Sequence, residues 1–376
     1  MPVYLDCNAT TPVDPRVRDE VFRFIDLEFG NAGSRTHEFG QRAKQAVQRA
    51  RDQVAEVVDA TREEVIFTSG ATESNNLAIL GLRAFGEQTG RKHIVSTAIE
   101  HKAVLEPLAH LSAHGFEVTL VPPTAAGYAE PDAIKSALRK DTLLVSVMHV
   151  NNETGVLQPI REICGVLREH PAYFHVDAAQ VFGKELEALR NHRIDLTSIS
   201  GHKIYGPKGI GSLVVRRRGY ERPPLQPLFH GGGQERGLRP GTLPVPLIVG
   251  LGMAAELALK EHKERYEQCR RYRSVVLEAL SPLQPSFNGD PALTLPHVLN
   301  ISFAGLDSEA VMLALKDTVA ISNGSACTSQ SYSPSHVLKA MALADDTIRG
   351  ALRISWCHTT AQISWTEVAR TIGNLR

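Results

Sequence analysis

Over its first 200 residues the chain alternates short, apolar, β-rich runs with stretches of helical periodicity, and this alternation confines it to an α/β architecture. The candidate strands are EVIFTS (64–69), HIVSTAIE (93–100), FEVTLV (116–121), TLLVSVMHV (142–150), YFHVD (173–177) and IDLTSIS (194–200), with helical segments at 72–85, 103–114, 131–140 and 160–170 between them. Continuous apolar strands separated by helices are buried on both faces, so the pattern predicts a mostly parallel sheet between helices. Ahead of the sheet, residues 36–59 place Phe39, Ala43, Ala46, Val47, Ala50, Val54, Val57 and Val58 three or four apart, one face of a helix. After about residue 258, ALKEHKERYEQCRRYRSVVLEAL predicts a long charged helix leading out of the first unit. HVLNISF, SEAVMLALKD, TVAIS, SHVLKAMAL, ALRISW and TEVARTIGNL then predict a second, smaller α/β alternation. The division expected is a large domain over 16–257 and a small domain made of 1–15 and 258–376.

Composition narrows the function classes. The 376 residues carry 41 Lys+Arg against 41 Asp+Glu, without the basic surplus that nucleic acid or an acidic membrane attracts, so direct nucleic-acid binding is not expected. The five cysteines (Cys7, Cys164, Cys269, Cys327, Cys357) are too scattered for a disulfide framework or a C-x-x-C metal pair; a reducing cytoplasm and no metal are expected. MPVYLDCNAT lacks the pattern of a signal peptide. The most apolar stretch, 243–259, carries two prolines and a glutamate, so no membrane association is expected.

In an open parallel sheet, ligands bind beyond the carboxyl ends of the strands, and the residues there form a coherent set. EVIFTS runs into GATES, a small-residue turn opening a helix; its free N–H groups, with the hydroxyl of Thr72, suit a phosphate, although the same turn also serves as an ordinary helix cap. HIVSTAIE ends at His101, TLLVSVMHV at Asn151 and Asn152, YFHVD at Asp177 with Gln180 just beyond, and IDLTSIS at Ser200-Gly201-His202-Lys203. Each alone has a structural reading, as a satisfied histidine or a capping aspartate. Together they are what pyridoxal 5′-phosphate requires: a lysine to bond its aldehyde, a carboxylate to keep the pyridine nitrogen protonated, and a helix N-terminus for the phosphate.

Competing motifs are incomplete. SGHK (200–203) matches S-x-x-K of serine acyl enzymes, but no K-T-G or S-D-N follows; HGGG (230–233) resembles an esterase oxyanion loop, but the chain has no G-x-S-x-G. There is no G-x-x-x-x-G-K-[ST], G-x-G-x-x-G or H-E-x-x-H. Cys327, in SNGSACTS, has small polar neighbours that suit an accessible nucleophile, unlike Cys164 in REICGVL; Cys7 and Cys357 are expected as packing residues.

Taken in order, YLDCNATTPVDPRV, FTSGATESNNLAI, EHKAV, MHVNNETGV, HVDAAQ, SGHKIYGPKGIG, HGGGQERGLRPGTLPV and NGSACTS resemble the cysteine desulfurases of the NifS/IscS type over almost the whole chain. The resemblance implies a fold-type I pyridoxal enzyme acting as a homodimer, with the cofactor on Lys203, its ring nitrogen on Asp177, its phenolic oxygen near Gln180 and His101 stacked on the ring. It implies phosphate contacts from Ala71, Thr72, Ser200 and His202, with Thr242 reaching across from the partner subunit. Asn152 and Arg353, with Asn31, match positions in the substrate region, and Cys327 matches the persulfide-forming cysteine. The reaction implied converts L-cysteine to L-alanine, with a persulfide on Cys327 destined for an acceptor protein. His101 would act as acid or base toward the substrate thiol.

The chain departs from the pattern at FGNAGSRTH (29–37), where relatives usually carry a proline after the asparagine, and at ISWCHTT, where a second arginine is common. It stops at Arg376, where housekeeping relatives continue into a tail that helps dock an iron–sulfur scaffold. A dedicated sulfur donor, as in bacterial DNA phosphorothioation, is therefore expected ahead of general iron–sulfur cluster assembly, with tRNA thiolation open. A selenocysteine lyase, an aminotransferase and a catalytically silent binding protein are the alternatives; intact Lys203, Asp177 and Cys327 argue against silence.

Overall fold

The computed structural model describes residues 1–323 and 334–376; Cys327, the nucleophile expected from the sequence, lies outside the described residues. Twelve strands are described: β1 (Val3–Tyr4), β2 (Val65–Thr68), β3 (His93–Thr97), β4 (Glu117–Val121), β5 (Thr142–Met148), β6 (Tyr173–Asp177), β7 (Leu196–Ser200), β8 (Gly211–Val215), β9 (Ser286–Phe287), β10 (Val298–Ser302), β11 (Val319–Ala320) and β12 (Ala351–Ser355). The central sheet has the order β2-β8-β7-β6-β5-β3-β4. Its neighbours run parallel except at β8, which is antiparallel to both β2 and β7. Because β8 reverses twice, β2 runs the same way as β7, and the carboxyl ends of β2, β5, β6 and β7 share one edge.

Both faces of the sheet are covered, as the continuous apolar strands require. Val145, Phe174, Val176 and Ile199 pack on one side under the helices Glu38–Val57 and Val245–Lys260, while Ile94, Leu144, Leu196 and Leu213 pack on the other under Ala71–Leu80 and Lys102–Ser112. The later part of the chain builds a second core around an antiparallel sheet, β12-β10-β9, with Leu5, Tyr272, Ile301, Leu352, Trp356 and Trp365 buried together. β1 pairs with β11, which sets the N-terminal segment beside that core.

Three sequence expectations differ from the structure for identifiable reasons. The strand at 93–100 ends at Thr97, because buried Glu100 folds back to accept from Thr97 Oγ1 at 2.6 Å and Met148 N at 2.8 Å. The helix at 72–85 divides at Gly81, whose carbonyl accepts from Gln226 N at 2.8 Å as the 225–226 segment packs against it. Phe39, on the expected apolar face of the helix Glu38–Val57, is instead exposed and stacks on Phe29 at 5.4 Å.

β2 is a sheet edge, and an unpaired edge leaves backbone donors and acceptors that something must satisfy. Here the loop of the HGGGQERG segment does so. Glu235, buried, accepts from Phe67 N at 2.7 Å and from Arg51 Nη1 at 2.8 Å, while Arg51 Nη1 donates to Val65 O at 2.7 Å. Glu235 and Arg236 both adopt left-handed backbone conformations (φ 49° and 58°), which L residues enter only when their surroundings hold them there. Removing one member of a buried ion pair leaves the other uncompensated, at about 3–5 kcal/mol. Glu235→Ala should therefore lower unfolding stability by roughly that amount in urea titrations; a loss below about 1 kcal/mol would show that the edge is held by other contacts.

Candidate active site

The shared edge opens on a cavity of about 420 Å³ whose lining includes Ala71, Thr72, His101, Asn152, Asp177, Gln180, Ser200, His202, Lys203 and Arg353, ten of the residues expected from the sequence. Asp177 closes β6 in the middle of the sheet, flanked by β5 and β7, and is 6% exposed. Its carboxylate is held from two sides: Oδ2 accepts from Asn75 Nδ2 at 2.7 Å and Oδ1 from Ala179 N at 2.9 Å. Asn75 was not anticipated from the sequence. The signal was available in GATESNN, since Asn75 sits four residues past Ala71, one turn along the helix that the small-residue turn opens.

Lys203 ends a single 3-10 turn after β7, and its Nζ donates to the carbonyls of Asn8 and Ala9, the latter at 2.8 Å. Gln180 Nε2 donates to the same Asn8 carbonyl at 2.9 Å. Asn8 is the second residue that sequence reasoning missed: its side chain also donates to Asn152 O at 3.2 Å, so the N-terminal segment forms one wall of the cavity. His101 caps the helix Lys102–Ser112, accepting from Ala103 N at 3.1 Å through Nδ1, which leaves Nε2 as the protonated nitrogen of the neutral ring. Burial holds His101 below the usual imidazole range, with Asp177 opposing and Lys203 reinforcing the shift, so the ring is neutral near pH 7. His202, bonded through Nδ1 to Thr10 Oγ1 at 3.1 Å, is pushed down to about 4 by burial and by the charges of Lys203 and Lys208.

The phosphate end is built by backbone geometry. Gly70 caps the ten-residue helix Ala71–Leu80 at φ 155°, in a region that side chains rarely adopt. Gly211 packs against it so closely that an added Cβ would lie 2.6 Å from Gly70 Cα. This draws the helix N-terminus against Ser200, and an unfilled space results: a Cβ on Gly70 would meet Ser200 Oγ only at 3.9 Å. Buried polar atoms around the cavity also lack partners, among them Asn8 Oδ1, Asn75 Oδ1 and Gln180 Oε1. Buried side-chain amides with bonding capacity left over, beside a carboxylate for a ring nitrogen, a lysine for an aldehyde and a helix N-terminus for an anion, fit a polar aromatic phosphate ester such as pyridoxal 5′-phosphate.

Three expected residues are held in ways the sequence does not reveal, and two of them lie outside the cavity lining. Arg353 is buried and lines the cavity, but its Nη2 is paired with Asp6 Oδ1 at 2.7 Å and its Nη1 donates to Asn152 O at 3.1 Å; its Nε has no partner. Asn31 is exposed and turned inward on its own loop, accepting from Gly33 N at 2.8 Å. Thr242 is exposed and outside the cavity lining. Among the described residues no group of His, Cys, Asp and Glu is arranged to hold a metal ion, and no helix is long and apolar enough to cross a membrane.

Comparison with known proteins gives the chain its family. Residues 3–363 match the aminotransferase class-V family. The chain is 49% identical over 364 residues to a protein named cysteine desulfurase IscS from Methylococcus capsulatus, covering 96% of this chain and 89% of that one. Among solved structures it is similar to DndA from Streptomyces lividans, at 52% identity and TM-score 0.83 over 93% of this chain and 98% of the other. It is also similar to SspA in complex with cysteine, at 38% identity and TM-score 0.84 over 96% and 100% of the two chains.

Proposed function

We propose, from the premise that this chain belongs to the aminotransferase class-V family, how its residues divide the work of a cysteine desulfurase and where its sulfur goes. The chain is a pyridoxal-phosphate-dependent cysteine desulfurase. The observation that carries the assignment of roles is the buried Asp177 carboxylate, fixed by Asn75 and Ala179 at the end of the central strand and facing the same cavity as Lys203 and His101.

When bound, pyridoxal 5′-phosphate supplies an electron sink for the charge left as the substrate α-proton departs. Asp177 holds the pyridine nitrogen protonated, with Asn75 keeping the carboxylate aimed. Lys203 would hold the group, and its Nζ would move the substrate α-proton; the carbonyls of Asn8 and Ala9, which accept from Nζ here, are a resting place for that ammonium. Ala71, Thr72, Ser200 and His202 receive the phosphate, Gln180 the phenolic oxygen. Neutral His101, its Nδ1 occupied by Ala103 N, has Nε2 left to serve the substrate thiol. Asn152 and Arg353 line the substrate region, where Arg353 must exchange or share Asp6 to bind a carboxylate, while Asn31, outside the cavity lining, would reach it only through movement of its loop or from a second copy. Cys327 thiolate would attack the substrate sulfur: the new S–S bond forms as the C–S bond breaks, the electron pair left on the β-carbon takes a proton, and L-alanine and a protein persulfide result.

Residues 16–257 form the large domain in this reading, and 1–15 with 258–376 the small one. The active form is a cytoplasmic homodimer. Phe22, Ile25, Leu27, Phe29 and Phe39 are exposed on and after the helix Pro15–Asp26, an apolar surface that a second copy would cover, and the exposure of Thr242 outside the cavity supports a role toward a neighbouring subunit. The acceptor is a protein cysteine in a dedicated pathway, DNA phosphorothioation, rather than nucleic acid itself, in keeping with the balanced charge. Iron–sulfur cluster assembly is the second reading, favoured by the likeness to IscS.

Purified enzyme given L-cysteine and a reductant should release sulfide and alanine in equal amounts. Cys327→Ser should still bind cysteine, with the accompanying change in visible absorbance, but should lose nearly all sulfide release; retained release would place the nucleophile elsewhere. Deleting the gene should remove sulfur from DNA and spare general iron–sulfur enzymes. The opposite pattern would establish the second reading.

A further inference from the structure

Arg353 brings a positive charge to the cavity, and the division of its N–H donors decides what can still bind there. The side chain belongs to β12 and is 1% exposed. Its Nη2 donates to Asp6 Oδ1 at 2.7 Å and its Nη1 to Asn152 O at 3.1 Å, whereas Nε is buried without a partner. Arg353 lines the cavity and Asp6 does not. The aspartate therefore holds the guanidinium from outside the lining, and Nε is a donor left over for a ligand.

Backbone pairing sets Asp6 in this place. Asp6 forms a parallel bridge with Ser355, Cys7 N donates to Ser355 O at 3.0 Å and Asn8 N to Ser355 Oγ at 2.9 Å, so the N-terminal segment runs along β12 beside Arg353. The Asp6 carbonyl accepts from Tyr4 Oη at 2.9 Å. A buried guanidinium without a counter-ion is costly, and Asp6 supplies that ion before any ligand arrives. Its side chain is 20% exposed, so water helps to carry the aspartate charge when the guanidinium is shared.

We infer that Asp6 is a specificity-determining residue, a resident counter-ion that stays on Nη2 while the substrate carboxylate takes Nε, and whose charge keeps the hold on that carboxylate weak. An arriving α-amino acid brings a second carboxylate to a cation that already has one. It gains the hydrogen bond from Nε and meets the charge of Asp6, in a buried site where screening is poor. L-Alanine carries the same carboxylate as L-cysteine, so the same charge that loosens the substrate also lets the product leave. The inference rests on Arg353 being the carboxylate-binding residue of the desulfurase reading.

The test uses holoenzyme carrying Cys327→Ser, titrated with L-cysteine through the change in visible absorbance, with L-cysteine ethyl ester as the ligand that keeps the amine and thiol and lacks the carboxylate. Asp6→Asn keeps an acceptor for Nη2 and removes the charge. Half-saturation by L-cysteine should fall roughly three- to tenfold, with the ester unchanged. Asp6→Ser, a second neutral variant, should tighten L-cysteine in the same sense, and Asp6→Glu, which keeps the charge, should bind both ligands as the parent does. Unchanged or weaker binding of L-cysteine by the neutral variants, or an equal shift for the ester, would overturn the role of Asp6. Failure of the underlying reading has a different signature: Arg353→Gln should abolish the difference between acid and ester, and a difference that survives it would place the carboxylate elsewhere and take the inference with it.

Discussion

A carboxylate at the end of the innermost strand is the constraint on which the rest of the molecule depends. Asp177 occupies the centre of a seven-stranded sheet, where an unsupported charge would be expensive, and it is tolerated because Asn75 and the Ala179 amide each give it a hydrogen bond. Asn75 is in position only because the helix Ala71–Leu80 starts hard against the sheet, which in turn requires glycine at 70 and 211. The glycine-rich turns, the helix start and the carboxylate are thus a single device: the packing that buries Asp177 also presents the helix N-terminus to an anion.

The second organising contact joins sequence extremes. The Asn8 carbonyl accepts from both Lys203 and Gln180, Asn8 N donates to Ser355 Oγ at 2.9 Å, and Asp6 pairs with Arg353. The N-terminal segment therefore couples the end of β7 to β12, the strand that carries the substrate-region arginine.

Much of this was legible in the sequence because it is periodic or because it punctuates a strand. The apolar runs gave six of the seven central strands, five of them to within two residues at each end, and His101, Asp177 and Lys203 stood out as polar residues at or just past their ends. What escaped was set by contacts between distant residues. β8 follows the Gly/Pro-rich turn after Lys203 directly, with no α-helix between it and β7 to set it apart, yet its reversal is what aligns β2 with β7. Asn8 and Asn75 are unremarkable in their own segments and acquire meaning only from partners more than 100 residues away. The pairing of Arg353 with Asp6 and the exposure of Phe39 likewise depend on tertiary context, which periodicity does not encode.

The account turns on Lys203 as the residue that carries the cofactor, opposite Asp177. Borohydride reduction of the holoenzyme followed by peptide mapping tests this most directly. The reduced pyridoxyl group should be found on Lys203, and Lys203→Ala protein should bind without fixing it and without the visible absorbance of the native enzyme. Recovery of the group on Lys208 or Lys184, or undiminished absorbance in Lys203→Ala, would contradict the account.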